Sequence, residues 1–507
     1  MKAPSWLIGL VGLCVLLATP PGPLETERAR LRDTKLALQT ERRAGSPRFE
    51  DVSRKVGIAG KRRTTYGSVF FDYDRDGDAD LLIGHHLRRP DFFENRRDKF
   101  RRRFFRAFLP PGNRSYYDRH SCGWGEANRD GRPDLYCVSG AQKGVGTGPN
   151  QLLINTGGGF VDRSFKYGLR DLHGRGRSLH WFGYNRDRKL DIFVGNEIRS
   201  GHPNRLFRHA RRSFKSVGAG LGQQMATNSS AWSDWDRDGD PDLIVTSHGD
   251  LGTLAYRNTG AGFARTSLPG ITSRVWLSAS FGDFNGDGWT DLAMVSTSQL
   301  VIFRNRRGRM VPTRSFGLVA GRTATWLDVD NDGNLDLFVV QGRSGGNNKA
   351  DFLVLRRKGN FVIRRHRSYR GPRGGDGDSV SVADFDRDGR VDVLVTNGYL
   401  RSKGRSTLLR NRTPAGHSIE LQLNAGKSNP FGFGSRVRIR TKHKKLWREV
   451  TDGIGFRGQS EGALHVGLGS ATRARIKVLW PRGGKDCVSV RADGLVGIRR
   501  GAHRCRG

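Results

Sequence analysis

A nine-residue pattern recurs seven times along this chain, and it restricts the fold more than any other feature. Asp72-Tyr73-Asp74-Arg75-Asp76-Gly77-Asp78-Ala79-Asp80 reads D-x-D-x-D-G-x-x-D and runs directly into Leu81-Leu82-Ile83. The spacing returns with Glu126, Asn128, Asp130 and Asp134, then with Asp234, Asp236, Asp238 and Asp242. It returns again with Asp283, Asn285, Asp287 and Asp291; with Asp328, Asp330, Asp332 and Asp336; and with Asp384, Asp386, Asp388 and Asp392. A degenerate copy holds Gly183, Asn185, Asp187 and Asp191, with Arg188 where the others have Gly. First positions fall 45 to 57 residues apart, room for four short strands per repeat. Self-similarity at that period is the arithmetic of a β-propeller. The expectation is an all-β chain, a seven-bladed β-propeller followed by a small β-rich C-terminal domain.

The flanks agree. Two residues before each first position stand Phe70, Trp124, Trp181, Trp232, Phe281, Trp326 and Val382, and an apolar run comes after each ninth position. Every loop therefore joins two β-type segments. The aromatic stripe is read as packing between blades rather than as a ligand platform. A Leu-x-x-Asn strand and a Gly-x-Phe turn recur further on, as in Leu152 to Asn155 and Gly159-Phe160. Phe49-Glu50-Asp51-Val52 resembles Phe160-Val161-Asp162, and the last repeat stops at Asn411 without such a strand. The N-terminal strand is expected to complete the seventh blade and remove the open edges.

Composition excludes the alternatives. With 69 Gly in 507 residues, long helical bundles are disfavoured, because Gly is costly inside helices. The 27 Phe and 10 Trp supply burial that a disordered chain lacks.

Three alternate carboxylates gather hard oxygens on one side of a tight turn, Gly at the sixth position permits the bend, and a ninth-position carboxylate closes the cage. Such a set suits Ca²⁺ better than Mg²⁺, with about six sites and the third repeat empty. An EF-hand is excluded, since it needs Glu at the twelfth position, held here by Ile83, Cys137, Val245, Met294, Val339 and Val395. Close to half of the 49 acids stand in these loops, against 88 Lys and Arg in the whole chain. Hydrogen-bonded Asx turns account for one or two Asp per loop, not four. In the third loop, Arg188 is expected to neutralise Asp187 or Asp191.

Residues 1–23 carry a positive start and an apolar run from Trp6 to Ala18, the pattern of a secretory signal, with an uncleaved anchor as the alternative. Residues 24–47 read as a spacer helix, 48–414 as the propeller, 415–500 as the C-terminal domain and 501–507 as a loosely held tail. Cys122, Cys137, Cys487 and Cys505 allow three pairings; the local pairs enclose the short loops and are favoured. The expected localisation is exported: periplasmic, cell-surface or extracellular.

Residues 49–411 resemble FG-GAP/VCBS repeats, the family that includes the integrin α-chain propeller. Residues 417–485 resemble the ASPIC/UnbV module of cartilage-acidic-protein-like and bacterial exported proteins. That likeness is carried by Asn429-Pro430-Phe431-Gly432-Phe433-Gly434, Gly455-Phe456-Arg457-Gly458-Gln459-Ser460, His465-Val466-Gly467-Leu468-Gly469 and Val478-Leu479-Trp480-Pro481. The resemblance implies a calcium-stabilised extracytoplasmic binding or adhesion protein. The animal relatives are acidic, whereas this chain has a formal charge of +39. Expected partners are an extracellular protein or a polyanionic glycan or surface, without specific nucleic-acid recognition, and the chain is expected to be a monomer that is not membrane-integral beyond its signal segment. The alternative is a propeller-based hydrolase or lyase. No GxSxG, HExxH or CxxC motif supports it, and His85, His86, His180 and His248 read as ordinary packed or surface histidines.

Overall fold

A computed structural model describes residues 47–109, 118–140, 148–198, 201–344, 347–365, 376–398, 402–453 and 455–505. The signal segment and the spacer helix expected before residue 47 lie outside the described residues.

Each repeat folds as one antiparallel four-stranded sheet, a blade whose innermost strand precedes the acidic loop. The first blade comprises Thr65–Phe71, Asp80–His85, Arg88–Asn95 and Phe100–Arg103. The second to sixth repeat that plan, with innermost strands Arg119–Gly125, Gly176–Phe182, Thr227–Ser233, Ser278–Gly282 and Gly321–Leu327. The seventh takes Gly377–Ala383, Asp392–Asn397 and Thr407–Asn411 from the end of the propeller, and its outer strand is Phe49–Asp51. Phe49 pairs with Asn411 and Asp51 with Leu409, so the N-terminal strand closes the ring as its sequence suggested. Each innermost strand touches the next, and Gly377–Ala383 touches Thr65–Phe71.

The −2 aromatics lie between blades. The indole N–H of Trp124 donates to the Phe70 carbonyl at 3.0 Å, that of Trp181 to Gly123 at 3.1 Å, and that of Trp326 to Ser280 at 3.0 Å. A buried indole needs such an acceptor. The packing reading of the stripe is therefore correct.

The C-terminal domain comes next as two small sheets. His417–Asn424 lies between Leu464–Gly469 and, in parallel, Gly494–Arg499; Ser435–Arg440 lies between Lys445–Val450 and Arg473–Leu479, with Lys485–Arg491 outside. Alternation decides what faces inward: Ile419, Leu421, Leu423, Val437, Ile439, Ile476 and Val478 are buried. Cys122 bonds to Cys137 and Cys487 to Cys505, the local pairs. The tail up to Cys505 is not loose. Asp486 accepts from the Gly501 and His503 amides at 2.7 Å each, and the disulfide to Cys487 anchors Cys505. Among the described residues no helix is long and apolar enough to cross a membrane.

Candidate metal loops and the plugged channel

All six intact loops have the same backbone. The sixth-position glycines Gly77, Gly131, Gly239, Gly288, Gly333 and Gly389 have φ between 80° and 93°, the left-handed region that a side chain disfavours. Each donates its N–H to the first-position acid, from 2.7 Å (Gly333 to Asp328) to 3.2 Å (Gly239 to Asp234). The fifth-position acid accepts from the amide two residues on, as Asp76 does from Asp78 at 2.8 Å. Asx-type hydrogen bonds are thus present, but they use only some of the oxygens. Asp72 Oδ1, Asp234 Oδ1, Asp330 Oδ1 and Asp386 Oδ1 are buried without a hydrogen-bond partner. A buried acceptor left unmade is costly, and a cation is what such an oxygen set can take.

Four loops bring three carboxylates to within 4.8 Å: Asp72, Asp74 and Asp80; Asp234, Asp236 and Asp242; Asp328, Asp330 and Asp332; Asp384, Asp386 and Asp392. In the second and fifth loops the third position is an amide, and Asn128 and Asn285 accept from the Asp130 and Asp287 N–H at 3.0 Å each. Burial raises the first-position acids, Asp72 to about 6, Glu126, Asp234 and Asp328 to about 7, and Asp384 to about 8. Arginines answer part of this charge: Arg257 meets Asp236, Arg357 meets Asp330 at 2.5 Å, and Arg410 meets Asp386. The acids are less isolated from the bases than the sequence suggested.

The ninth-position aspartate does a second job. Asp80 Oδ2 accepts from the Tyr73 amide at 2.9 Å and Oδ1 from the Asn95 amide at 2.8 Å, tying loop to third strand. Asp134, Asp191, Asp291, Asp336 and Asp392 repeat the clamp. Because the degenerate third loop keeps it too, this residue is retained by the fold whether or not an ion binds.

The asparagine of the Leu-x-x-Asn strand couples neighbouring blades. Asn155 Nδ2 donates to the Tyr73 carbonyl, in the loop of the preceding blade, at 2.6 Å and to Pro133 in its own at 3.3 Å. Asn95, Asn258, Asn305 and Asn411 do the same with Phe385, Tyr184, Trp235 and Val329. The sequence showed this residue recurring, but its partner lies a blade away. In the third blade His209 replaces it, and in the sixth Arg356 lies 5.6 Å over the Phe284 ring.

The third loop corrects one expectation. Arg188 takes the left-handed conformation of the missing glycine (φ 64°), and it is Lys189 that meets Asp187, at 3.7 Å. Arg482 of the C-terminal domain donates to the Asn185 carbonyl at 2.6 Å and to Gly183 at 3.4 Å, and pairs with Asp240. A guanidinium thus caps the loop that lacks its first acid. Arg436 is also committed, donating to the Gly288 carbonyl at 2.5 Å with its guanidinium 5.3 Å from the Trp447 ring.

The C-terminal domain rests on the loop face, where Ser418 donates to the Gly389 carbonyl at 2.9 Å and Arg448 to Gly333 at 3.0 Å, and it sends residues 451–453 and 455–463 into the channel. Innermost strands leave edge amides unpaired, and this segment accepts from them. Phe70 N–H donates to the Gln459 carbonyl at 3.1 Å, Trp124 N–H to Gln459 Oε1 at 2.7 Å, Trp181 N–H to Asp452 Oδ2 at 2.9 Å, and Val382 N–H to Ser460 Oγ at 3.2 Å. These donors are the −2 residues of four blades. His180 Nδ1 and Trp232 Nε1 also reach Asp452, at 3.0 and 3.1 Å, and Arg457 pairs with Asp378 at 3.2 Å. The motif residues of the C-terminal domain therefore plug the propeller.

Comparison with known proteins matches this geometry. A model described as "FG-GAP-like repeat" matches residues 183–245, 234–294, 283–339 and 328–395, and one described as "ASPIC and UnbV" matches residues 425–503. Fold and loops define an FG-GAP-repeat β-propeller. The chain is an FG-GAP-repeat protein with a C-terminal ASPIC/UnbV domain. It is 24% identical over 261 residues to cartilage acidic protein 1 of Homo sapiens, covering 49% of this chain and 38% of that protein. It is 25% identical over 217 residues to cartilage acidic protein 1 of Xenopus tropicalis, covering 40% and 33%. The match thus spans well under half the length of these relatives. Among solved structures, BBS1N in complex with ARL6DN has a TM-score of 0.46 at 10% identity, covering 71% of this chain and 96% of that one. YCF48 bound to D1 peptide has 0.43 at 10%, covering 73% and 96%.

Proposed function

We propose that this protein is a calcium-stabilised binding module that works outside the cytoplasm and takes an acidic polysaccharide as its partner. The six intact loops, Asp72 to Asp80 through Asp384 to Asp392, would hold the ions; bound Ca²⁺ supplies positive charge to buried oxygens and rigidity to the turns. Two disulfides suit an oxidising compartment.

The observation that carries the partner class is a cleft of about 610 Å³ between the third and fourth loops and the C-terminal domain. Arg186, Arg188, Lys189, Arg237, Arg482 and Arg500 line it, and Arg186, Arg188 and Arg237 are exposed. Their number exceeds that of the acids they face, Asp234, Asp238, Asp240 and Glu449. Concentrated positive charge in a concave site raises the local concentration of anions.

Binding of a sulfated polysaccharide to the calcium-loaded protein tests this. Saturable binding that weakens with salt and is lost in Arg188→Glu/Arg237→Glu, but kept in Arg211→Glu/Arg212→Glu on an exposed turn, supports the cleft. Equal loss in both pairs means that only the overall charge is sensed and removes the reading, as does binding indifferent to salt.

A further inference from the structure

The face of the propeller opposite the acidic loops carries a cluster that no repeat pattern announces. His86 sits in the turn between Asp80–His85 and Arg88–Asn95, and Asp118 and His120 stand where the second blade's innermost strand begins. One ligand atom from each of the three lies within 4.8 Å of the other two. Asp118 Oδ1 is 3.0 Å from His86 Nε2 and 2.9 Å from His120 Nε2. Tetrahedral ligands ~2.0–2.2 Å from a common ion stand ~3.3–3.6 Å apart, so each of these pairs has to open by only about half an ångström to share one. Neither 86 to 118 nor 118 to 120 is a familiar ligand spacing along a chain, so only the fold brings this group into view.

Three further observations point to a cation rather than to an ordinary hydrogen-bonded group. His120 Nε2 faces an acceptor, Asp118, and also a donor, Arg177 Nη1 at 3.2 Å. One imidazole nitrogen cannot both donate to Asp118 and accept from Arg177; a metal would take the nitrogen lone pair and the carboxylate together, leaving the Arg177 N–H to turn to an anion on the open position. The backbone of Gly140 approaches the cluster as no other residue could: a Cβ there would fall 2.4 Å from His120 Nε2 and 2.5 Å from Asp118 Oδ2. The site is also walled and open in the right measure. The Tyr66 ring packs against both imidazoles at 5.0 and 4.5 Å, His120 is buried, and the His86 side chain is 32% exposed, giving an entry path.

We propose that His86, Asp118 and His120 bind one divalent transition-metal ion of the zinc class, with at least one coordination position open. Two nitrogens and one carboxylate oxygen suit such an ion and not Ca²⁺, whose ligands are all oxygen. This site is separate from the acidic loops in place and chemistry. Arg177, 4.0 Å from Glu197, lies beside it and would favour an anion on the open position.

The test titrates Co²⁺ into the full protein in excess Ca²⁺, following the visible ligand-field band, with Zn²⁺ competition by calorimetry. About one Co²⁺ per chain is expected, displaced by Zn²⁺. His86→Ala should weaken binding at least ~10-fold, the lower end of the loss when even an outer partner of a metal ligand is removed. Gly140→Ala should weaken it comparably by crowding the cluster, and His173→Ala, in a histidine pair on the third blade, should match the wild type. The partly exposed His86 makes its variant tolerable to the fold, which an unchanged melting temperature verifies. Absence of a saturable band in the wild type overturns the proposal, as does His86→Ala binding like the wild type or loss of the site in His173→Ala.

Discussion

Gln459 of the C-terminal domain and Trp124 of the second blade pair as two peptide groups would. The Trp124 N–H donates to Gln459 Oε1 at 2.7 Å, and Gln459 Nε2 donates back to the Trp124 carbonyl at 3.3 Å and on to Asp452 at 2.7 Å. Gln459 is wholly buried. Its amide completes the edge of a sheet formed 335 residues earlier.

Gln459→Ala should therefore destabilise the protein by about 2–4 kcal/mol, because each buried polar group left unsatisfied costs ~1–3 kcal/mol. Denaturant unfolding followed by tryptophan fluorescence measures it. A loss below ~0.5 kcal/mol, the level of ordinary surface substitutions, would mean that water reaches this amide in solution.

Removing calcium should lower the melting temperature, and more at pH 8 than at pH 5. The sign comes from the loops. Burial lifts Asp234 and Asp328 from 3.8 to about 7 and Asp384 from 3.8 to about 8 in the ion-free fold. A carboxyl raised on folding binds more protons in the native state, so ion-free stability falls as pH rises from about 4 to about 8. Bound cations oppose that fall. Melting curves with chelator and with Ca²⁺ at both pH values check this; a chelator effect that is absent or larger at pH 5 would contradict it. Calcium should titrate into about six sites.

Asn155→Ala should cost about 2–3 kcal/mol, since Tyr73 and Pro133 lose their donor and the Gly157 amide loses its acceptor. Equilibrium unfolding reads this directly. Substitution at exposed Thr156, whose hydroxyl bonds to the Gly159 carbonyl of its own turn, should stay within ~0.5 kcal/mol.

His209→Asn should make the protein less sensitive to mild acid. Burial lowers His209 from 6.5 to about 4, so the native state holds it neutral. Its contribution is complete above pH 6.5 and is lost as pH falls toward 4, where the unfolded chain takes a proton that the folded one refuses. Stability profiles of wild type and variant should diverge across that window and run parallel above it.

How far the sequence can be read depends on how local each signal is. The loops, their glycines and the −2 aromatics recur within one repeat, so counting them reveals the blades. Phe49–Asp51 is legible as the closing strand because it copies a strand seen elsewhere. Asn155 is visible but its role is not, since its acceptor Tyr73 lies 82 residues back in another loop. Asp452 and Gln459 lie in a segment with neither strand nor helix periodicity, and their partners are 271 and 335 residues away. The His86, Asp118 and His120 group is hidden for the same reason: a turn of one blade meets the first strand of the next. Arg482 is equally opaque, because a charge near the end of a basic chain gives no hint that it caps a loop 297 residues upstream.

The order of parts along the chain also dictates a sequence of assembly. Phe49–Asp51 is made before every other strand of the propeller but finds Thr407–Asn411 only when all the other blades have been made, so the nascent propeller is an open fan that waits for its final sheet. The segment that fills its hub is encoded later still. The wheel must consequently form around a vacant axle, or be drawn shut by the axle as it arrives, and any fragment ending before residue 451 is left with a row of thirsty amides around its bore.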